Sequence, residues 1–355
     1  MKKHLTVTVF AVNTVNEFSA VKLLGRTARE YLKENLAEDE NFSVIYIADE
    51  KIPDVYPAAD YYLRMHADMP LISKGEIFQI AEAMEKRRLG GVRLSSALMF
   101  KNRSSLSGTP PVININVRRD SFLRADSSAS VIKIHDLMRK KITDRLIADG
   151  VIIYDASSVS IDSTVTFKKG CMIHPFNVIK GATSIGCNNI IDSGCIIENA
   201  FIGDSNRIVQ SNLSDCVIGS GCSVGPFATL RKGASIGDNC RIGDYVEVKN
   251  SIIHNGAKAA HLAYIGDAEV GSRTNIGCGT VFANYNGKIK QKTTVGSDVF
   301  IGANTNLIAP LDVGSDSFIA AGSTITDDIP PNAFAIAREK QVVKKSYADK
   351  YGKKK

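Results

Sequence analysis

One histidine stands out in the stretch NGAKAAHLAYIGD, residues 255–267, where His261 sits among alanines three positions ahead of Tyr264. A neutral imidazole titrates near physiological pH and can take a proton from a nucleophile, which is the work of a general base. Around it in sequence lie cations, amides and phenols: Arg231, Lys249, Lys258, Asn275, Asn284, Tyr285 and Lys290. Carboxylates are few among them. Such a mixture suits an anionic ligand rich in hydroxyl groups, such as a sugar phosphate. A single histidine on a regular scaffold is more often a surface or packing residue, and His174 and His254 are read that way. His261 is set apart only by its neighbourhood. Each Arg or Lys taken singly reads as a solvated side chain, and Asn275 alone could be one rung of an internal asparagine ladder.

These residues need a scaffold, and from about Val159 the sequence supplies one. An aliphatic residue followed by Gly recurs from Ile185-Gly186 to Val313-Gly314, often at spacings of six or twelve residues. A period of six fits neither helix nor hairpin. It predicts a parallel β-helix, in which each hexapeptide forms one flat face and roughly 18 residues close a coil. The aliphatic side chains then point to the coil axis and the small residues turn the corners. Residues 159–326 should make about nine coils. Departures from the period are the informative places, since insertions in a solenoid collect on one side and commonly form its binding surface. Three stand out: PFATLRKGA (226–234), VKNSIIHNGAKAAHLAYIGD (248–267) and CGTVFANYNGKIKQKTTVG (278–296).

The first part of the chain, about 145 residues, mixes strand and helix patterns. LTVTVFAV (5–12), SVIYIA (43–48) and VININV (112–117) read as strands. Val21, Leu24, Ala28, Tyr31 and Leu32 share one helical face, Ser73 and Glu76 have capping-box spacing ahead of a second helix, and Val131, Ile134, Met138 and Ile142 mark a third. The alternation predicts an α/β layer with a small, mainly parallel sheet.

Composition narrows the classes further. The 355 residues are 44% hydrophobic and 23% charged, ordinary for a soluble globular protein, and no apolar run approaches a membrane span. The basic then apolar start, MKKHLTVTVFAVN, is too short in its apolar run for a signal peptide and reads as a buried strand of a cytoplasmic protein. Residues 339–355 carry seven lysines against Glu339 and Asp349, so +5 of the net +7 sits in a basic tail and the body gives no sign of a nucleic-acid partner. The seven cysteines form no CxxC pair and no metal spacing, and read as reduced, buried space-fillers.

GPFATLR, YVEVKNS, AKAAHLAYIGDAEVGSRTNIGCGT, NYNG, DVFIGANTNLIAPLDVG and IAAGSTIT occur in this order. Together they resemble the C-terminal acetyltransferase domain of the bifunctional glucosamine-1-phosphate acetyltransferase / N-acetylglucosamine-1-phosphate uridylyltransferase family, over about residues 145–340. The resemblance implies a left-handed β-helix in a homotrimer, with the acyl site between neighbouring chains and acetyl-CoA as co-substrate. It implies His261 as the general base on the sugar amine. Arg231 and Lys249 would hold the substrate phosphate, and Tyr264 and Asn275 the sugar. Asn284 and Tyr285 would line the acyl and pantetheine channel, and Cys278, Lys290, Ala303, Ala321 and Arg338 would complete the coenzyme A site. Ala303 stands where serine is usual in the family and Cys278 where alanine is usual.

The first part departs from the family more deeply. Where the family has a Gly-rich loop to cradle nucleotide phosphates, this chain reads VFAVNTVNEFSAVKLLGR, without Gly-x-Gly. HADMPLISKGEIF (66–78) still resembles the segment with a metal-binding aspartate, here Asp68, and Asp126 lies where a second metal ligand would be. Magnesium would be bound only if that remnant site functions. The expected organisation is a reduced nucleotidyltransferase-like α/β domain over 1–130, a linking helix over 131–150, the β-helix over 151–338 and the tail over 339–355. The first domain is expected to cover the solenoid's end or to bind a nucleotide without catalysis. The activity implied is N-acetylation of glucosamine 1-phosphate for cell-envelope precursors, with uridylyl transfer lost. The alternatives are another amino sugar or sugar nucleotide as acceptor, or a non-catalytic sugar-phosphate or nucleotide-binding scaffold.

Overall fold

A computed structural model describes residues 5–13, 16–48, 51–102, 110–111, 115, 118–345 and 347. The chain divides into two compact units, 1–145 with 160–164, and 146–159 with 165–355. Most of the lysine-rich tail lies outside the described residues.

The first unit is built on a five-stranded sheet. Its strand Val7–Val12 is buried along its whole length, as a strand covered on both faces must be. It runs parallel to Phe42–Ile47 on one side and Tyr61–His66 on the other. Beyond Tyr61–His66 the pairing turns antiparallel, to Ala97–Lys101 and then Gly91–Leu94. The sheet is therefore mixed rather than mainly parallel, because a hairpin, whose tight turn needs no crossover, supplies its edge. The expected strand at 112–117 lies outside the described residues except for Ile115.

The helices follow their caps. Lys74–Lys86 carries the expected capping box, Glu76 N donating to Ser73 Oγ at 3.3 Å and Ser73 N to Glu76 Oε2 at 3.0 Å. The first helix is shorter than its apolar pattern suggests, spanning only Ala28–Asn35 behind a second capping box at Thr27 and Glu30. Val21 and Leu24 fall outside it: Lys22–Leu23 pairs with Arg26–Thr27 around Leu24 and Gly25, both at positive φ. A two-residue hairpin loop demands that geometry, and Gly25 makes it cheap. The third helix, Ser128–Ala148, buries Ile134, Met138 and Ile142 as expected, while Val131 is only half-buried.

The second unit is a left-handed parallel β-helix of about ten turns. Strands of two or three residues begin at Ile152–Ile153 and end at Phe334–Ala335, outside the 159–326 expected from Ile-Gly and Val-Gly pairs, which accounts for the additional turn. Inward aliphatic residues stack in register, one column running Ile173, Ile191, Ile208, Val224, Ile242, Ala259, Ile276, Ile301, Ile319. All are buried, so each coil covers its neighbours' apolar surface. At the inner corners short polar residues satisfy the turning backbone: Asn177, Asn189 and Asn206 each accept from the backbone N–H one coil on, at 2.7–2.8 Å. Asn275 is not in that ladder; it lies on a flat face, paired with Lys258 and Phe300. Five cysteines are buried, with burial pushing Cys195 up to about 11 and Cys216 to about 12, but Cys187 is half-buried and Cys278 exposed.

Candidate active site

Two strands are longer than the rest. Arg241–Lys249 and Lys258–Gly266, nine residues each, run without a break round a corner and pair in register across it. The corner is set by a left-handed residue in every coil: Tyr245, Leu262, Gly279, Asn304 and Gly322, with φ between +33° and +76°. The residue before each of these projects from the same edge. Those residues are Asp244, His261, Cys278, Ala303 and Ala321, and Arg338 follows one coil after Gly322. His261 thus shares one exposed edge with four of the five residues expected to complete a coenzyme A site.

His261 Nδ1 lies 2.6 Å from Asp244 Oδ1, with the imidazole side chain 54% exposed. The other ring nitrogen has no hydrogen-bond partner among the described residues. Asp244 was missed by the sequence reading. Its distance of 17 residues from His261 hides a separation of one rung, and only the coil length in this stretch makes the two adjacent.

Round the corner, three residues further along the same strand, lies Tyr264. It pairs in register with Glu247, whose carboxylate accepts from Arg231 Nη1 at 2.7 Å. Arg231 and Lys249 follow each other on this side, one coil apart. Lys290 joins them: Lys249 is held below the ordinary lysine value, first by the hydrogen-bonding ammonium of Lys290 and its charge, then by Arg231. Three cations outnumber the carboxylates beside them, Glu247 and Asp267, and so favour an anion. Lys290 thus lies beside Lys249 and Arg231 and not along the corner edge. It also borders an open cavity of about 460 Å³ with Asn250, Asp267 and Lys292.

Asn284 is buried and donates to Asp267 Oδ2, with its amide 3.5 Å from the Tyr264 hydroxyl. Asp267 also accepts from Asn250 at 2.6 Å, so one carboxylate fixes both amides. Gly266 makes room for this, since a Cβ there would meet the Tyr264 hydroxyl at 2.4 Å. Tyr285 opens the inserted loop, bridges Lys290 and donates from its hydroxyl to Gly287 O at 2.7 Å. Asn275, on the flat face beside Lys258, is not brought to the Tyr264 side within this chain.

The aspartates of the first unit do not fit a divalent cation. Arg124 grips the buried Asp68 with Nε to Oδ1 at 3.1 Å and Nη2 to Oδ2 at 3.0 Å, and its Nε lies 3.7 Å from Asp126. A guanidinium thus neutralises both carboxylates, and among the described residues no group of three or more His, Cys, Asp or Glu could hold a metal. Arg124→Ala should destabilise the protein by about 3 kcal/mol in urea denaturation, because it leaves Asp68 buried and uncompensated. Magnesium should leave the melting temperature of the wild-type protein unchanged. No described helix is long and apolar enough to cross a membrane.

Residues 215–250 match the family model for the bacterial transferase hexapeptide (six repeats). The chain is 44% identical over 235 residues to the bifunctional protein GlmU of Clostridioides difficile, covering 66% of this chain and 51% of that one. With the bifunctional protein GlmU of Clostridium kluyveri the figures are 45% over 236 residues, 66% and 52%. The chain spans about half the length of the curated relatives it matches. The solved structure of Francisella novicida UDP-N-acetylglucosamine acyltransferase aligns with 52% of this chain and 67% of that one, at 22% identity and a TM-score of 0.35, a likeness that carries nothing further. On the curated relatives and the repeat model, the chain is similar to bifunctional GlmU proteins over about half of their length and carries bacterial transferase hexapeptide repeats.

Proposed function

We propose that this protein transfers an acetyl group from acetyl-CoA to the amine of glucosamine 1-phosphate, giving N-acetylglucosamine 1-phosphate, and that it carries out no uridylyl transfer. One observation carries the reading: His261 and Tyr264 share one unbroken strand, with the exposed donor edge on the histidine's side and the cation cluster on the tyrosine's. A phosphate on Arg231, Lys249 and Lys290 would be held by charge, with Tyr264 at the sugar. The acceptor amine attacks the thioester carbonyl, loses its proton to the unpartnered nitrogen of His261, and the C–S bond breaks as the C–N bond forms. The imidazolium then returns the proton to the leaving thiolate. The absence of uridylyl transfer is supported by Arg124 across Asp68 and Asp126 and by the missing Gly-rich loop. The reading includes a cytoplasmic homotrimer, to which Asn275 would contribute across a chain boundary; analytical ultracentrifugation checks the trimer.

The test is coenzyme A release by purified protein with acetyl-CoA and glucosamine 1-phosphate. Saturable release supports the reading. No release from folded protein moves the acceptor to another amino sugar or sugar nucleotide, and no release with any amino sugar leaves a binding scaffold.

A pH dependence follows from the cation cluster. Lys249 loses its proton below its ordinary value of 10.5, so anion binding weakens earlier on the alkaline side than for an isolated lysine. Lys290→Met removes the main cause. It should raise KM for the phosphorylated acceptor near neutrality, since one cation is gone, and move the alkaline rise in KM to higher pH. Measuring KM from neutrality to about pH 10 checks both signs.

A further inference from the structure

We propose that Asp244 is a positioning residue for His261: by accepting from Nδ1 it fixes the imidazole as the tautomer whose lone pair is on Nε2 and aims that nitrogen at the acceptor amine. This rests on the acetyl-transfer reading and adds to it a residue that acts through the base.

The argument is one of donors and acceptors. An ionised carboxylate only accepts, and a neutral imidazole has a single N–H to give. At 2.6 Å from Asp244 Oδ1, that N–H must be on Nδ1, which leaves Nε2 as the basic nitrogen. Without the carboxylate the proton distributes between the two nitrogens and the ring turns about its side-chain bonds. Once the amine's proton reaches Nε2, the imidazolium stands against a carboxylate instead of alone, which favours the transfer.

Stability does not account for the pair. Side chains 54% and 37% exposed form an ion pair of the kind that contributes roughly 0–1 kcal/mol. Gly243, just before Asp244, has a backbone so near Ala260 that a Cβ would lie 1.8 Å from the Ala260 carbonyl oxygen. Leu262, just after His261, takes a left-handed φ of +33° that leucine rarely adopts. Asp244 makes no other side-chain hydrogen bond or ion pair among the described residues.

The test uses the full-length protein with Asp244→Asn, which keeps the shape of the side chain, and Asp244→Ala. Both should lower kcat by roughly 10- to 100-fold, less than the whole of a general base's contribution, with KM for acetyl-CoA changed less than about twofold. In a His261→Ala background Asp244→Ala should cost nothing more, because it acts only through the ring. Nitrogen-15 NMR of the histidine ring in the protein alone should show the Nδ1–H tautomer in the wild type and its loss in Asp244→Ala. An unchanged tautomer, or an equal loss of rate in the His261→Ala background, overturns the proposal. The NMR readout needs no substrate, so failure of the acetyl-transfer reading, seen as wild-type protein that releases no coenzyme A, is distinguishable from failure of the dyad.

Discussion

His261→Ala should lower coenzyme A release by about 10²- to 10⁴-fold, the range a positioned general base supplies. The loss should fall on kcat and on kcat/KM together, because removing the base touches the transition state and not the binding of either substrate. Stability should hardly change. His261 is more exposed than buried, and its one partner, Asp244, becomes a solvated carboxylate in the variant. A melting temperature within a few degrees of wild type is expected, since the lost ion pair contributes at most about 1 kcal/mol. A large drop in rate with the fold intact identifies the base; a rate within a few-fold of wild type removes His261 from the chemistry.

Gly243→Ala should have the largest effect on the fold of any substitution near the site, about 3 kcal/mol or more. Its new Cβ would stand 1.8 Å from the Ala260 carbonyl oxygen, and that oxygen belongs to the backbone of the next rung. A flexible side chain could move aside, but a rung can move only by opening the ladder that pairs Arg241–Lys249 with Lys258–Gly266. The same opening would separate Asp244 from His261, so activity should fall with stability. Gly75→Ala is the control: nothing lies within 4 Å of the Cβ it would add, and it sits in the helix Lys74–Lys86. That change should stabilise by about 0.5–1 kcal/mol. Denaturant titration of both variants reads the contrast.

The scaffold was legible because its signal is local and repeated. Each Ile-Gly or Val-Gly pair states its own orientation, and twelve such pairs at compatible spacings leave one architecture. The count of nine coils, taken over 159–326, left out Ile152-Ile153 and Phe334-Ala335, which carry no glycine, although the expected β-helix of 151–338 included both. In the first unit, apolar periodicity ran Val21 and Leu24 into a helix, but Leu24 and Gly25 turn a hairpin at positive φ, a case of turn chemistry overriding period. At the site, His261, Arg231, Lys249 and Tyr264 were recognisable by type and surroundings. Asp244 was not, since nothing local marks a carboxylate whose partner is one turn of the solenoid away. Asp68 and Asp126 were noticed as carboxylates, while Arg124, two residues before Asp126, is what decides their chemistry. Pairing across space, rather than residue type, was the hidden quantity in both cases.

The left-handed corner that repeats coil after coil also acts as a ruler. Rungs of a parallel sheet are about 4.8 Å apart, so the four steps from His261 through Cys278, Ala303 and Ala321 to the coil of Arg338 span about 19 Å. A donor that presents its reactive carbonyl at one end and negative charge to Arg338 at the other must be extended over that length. Small activated acyl compounds fall short of it. Removing or adding one coil between Cys278 and Arg338 would change the required reach by one graduation, about 5 Å, while leaving the histidine and the cation cluster where they are.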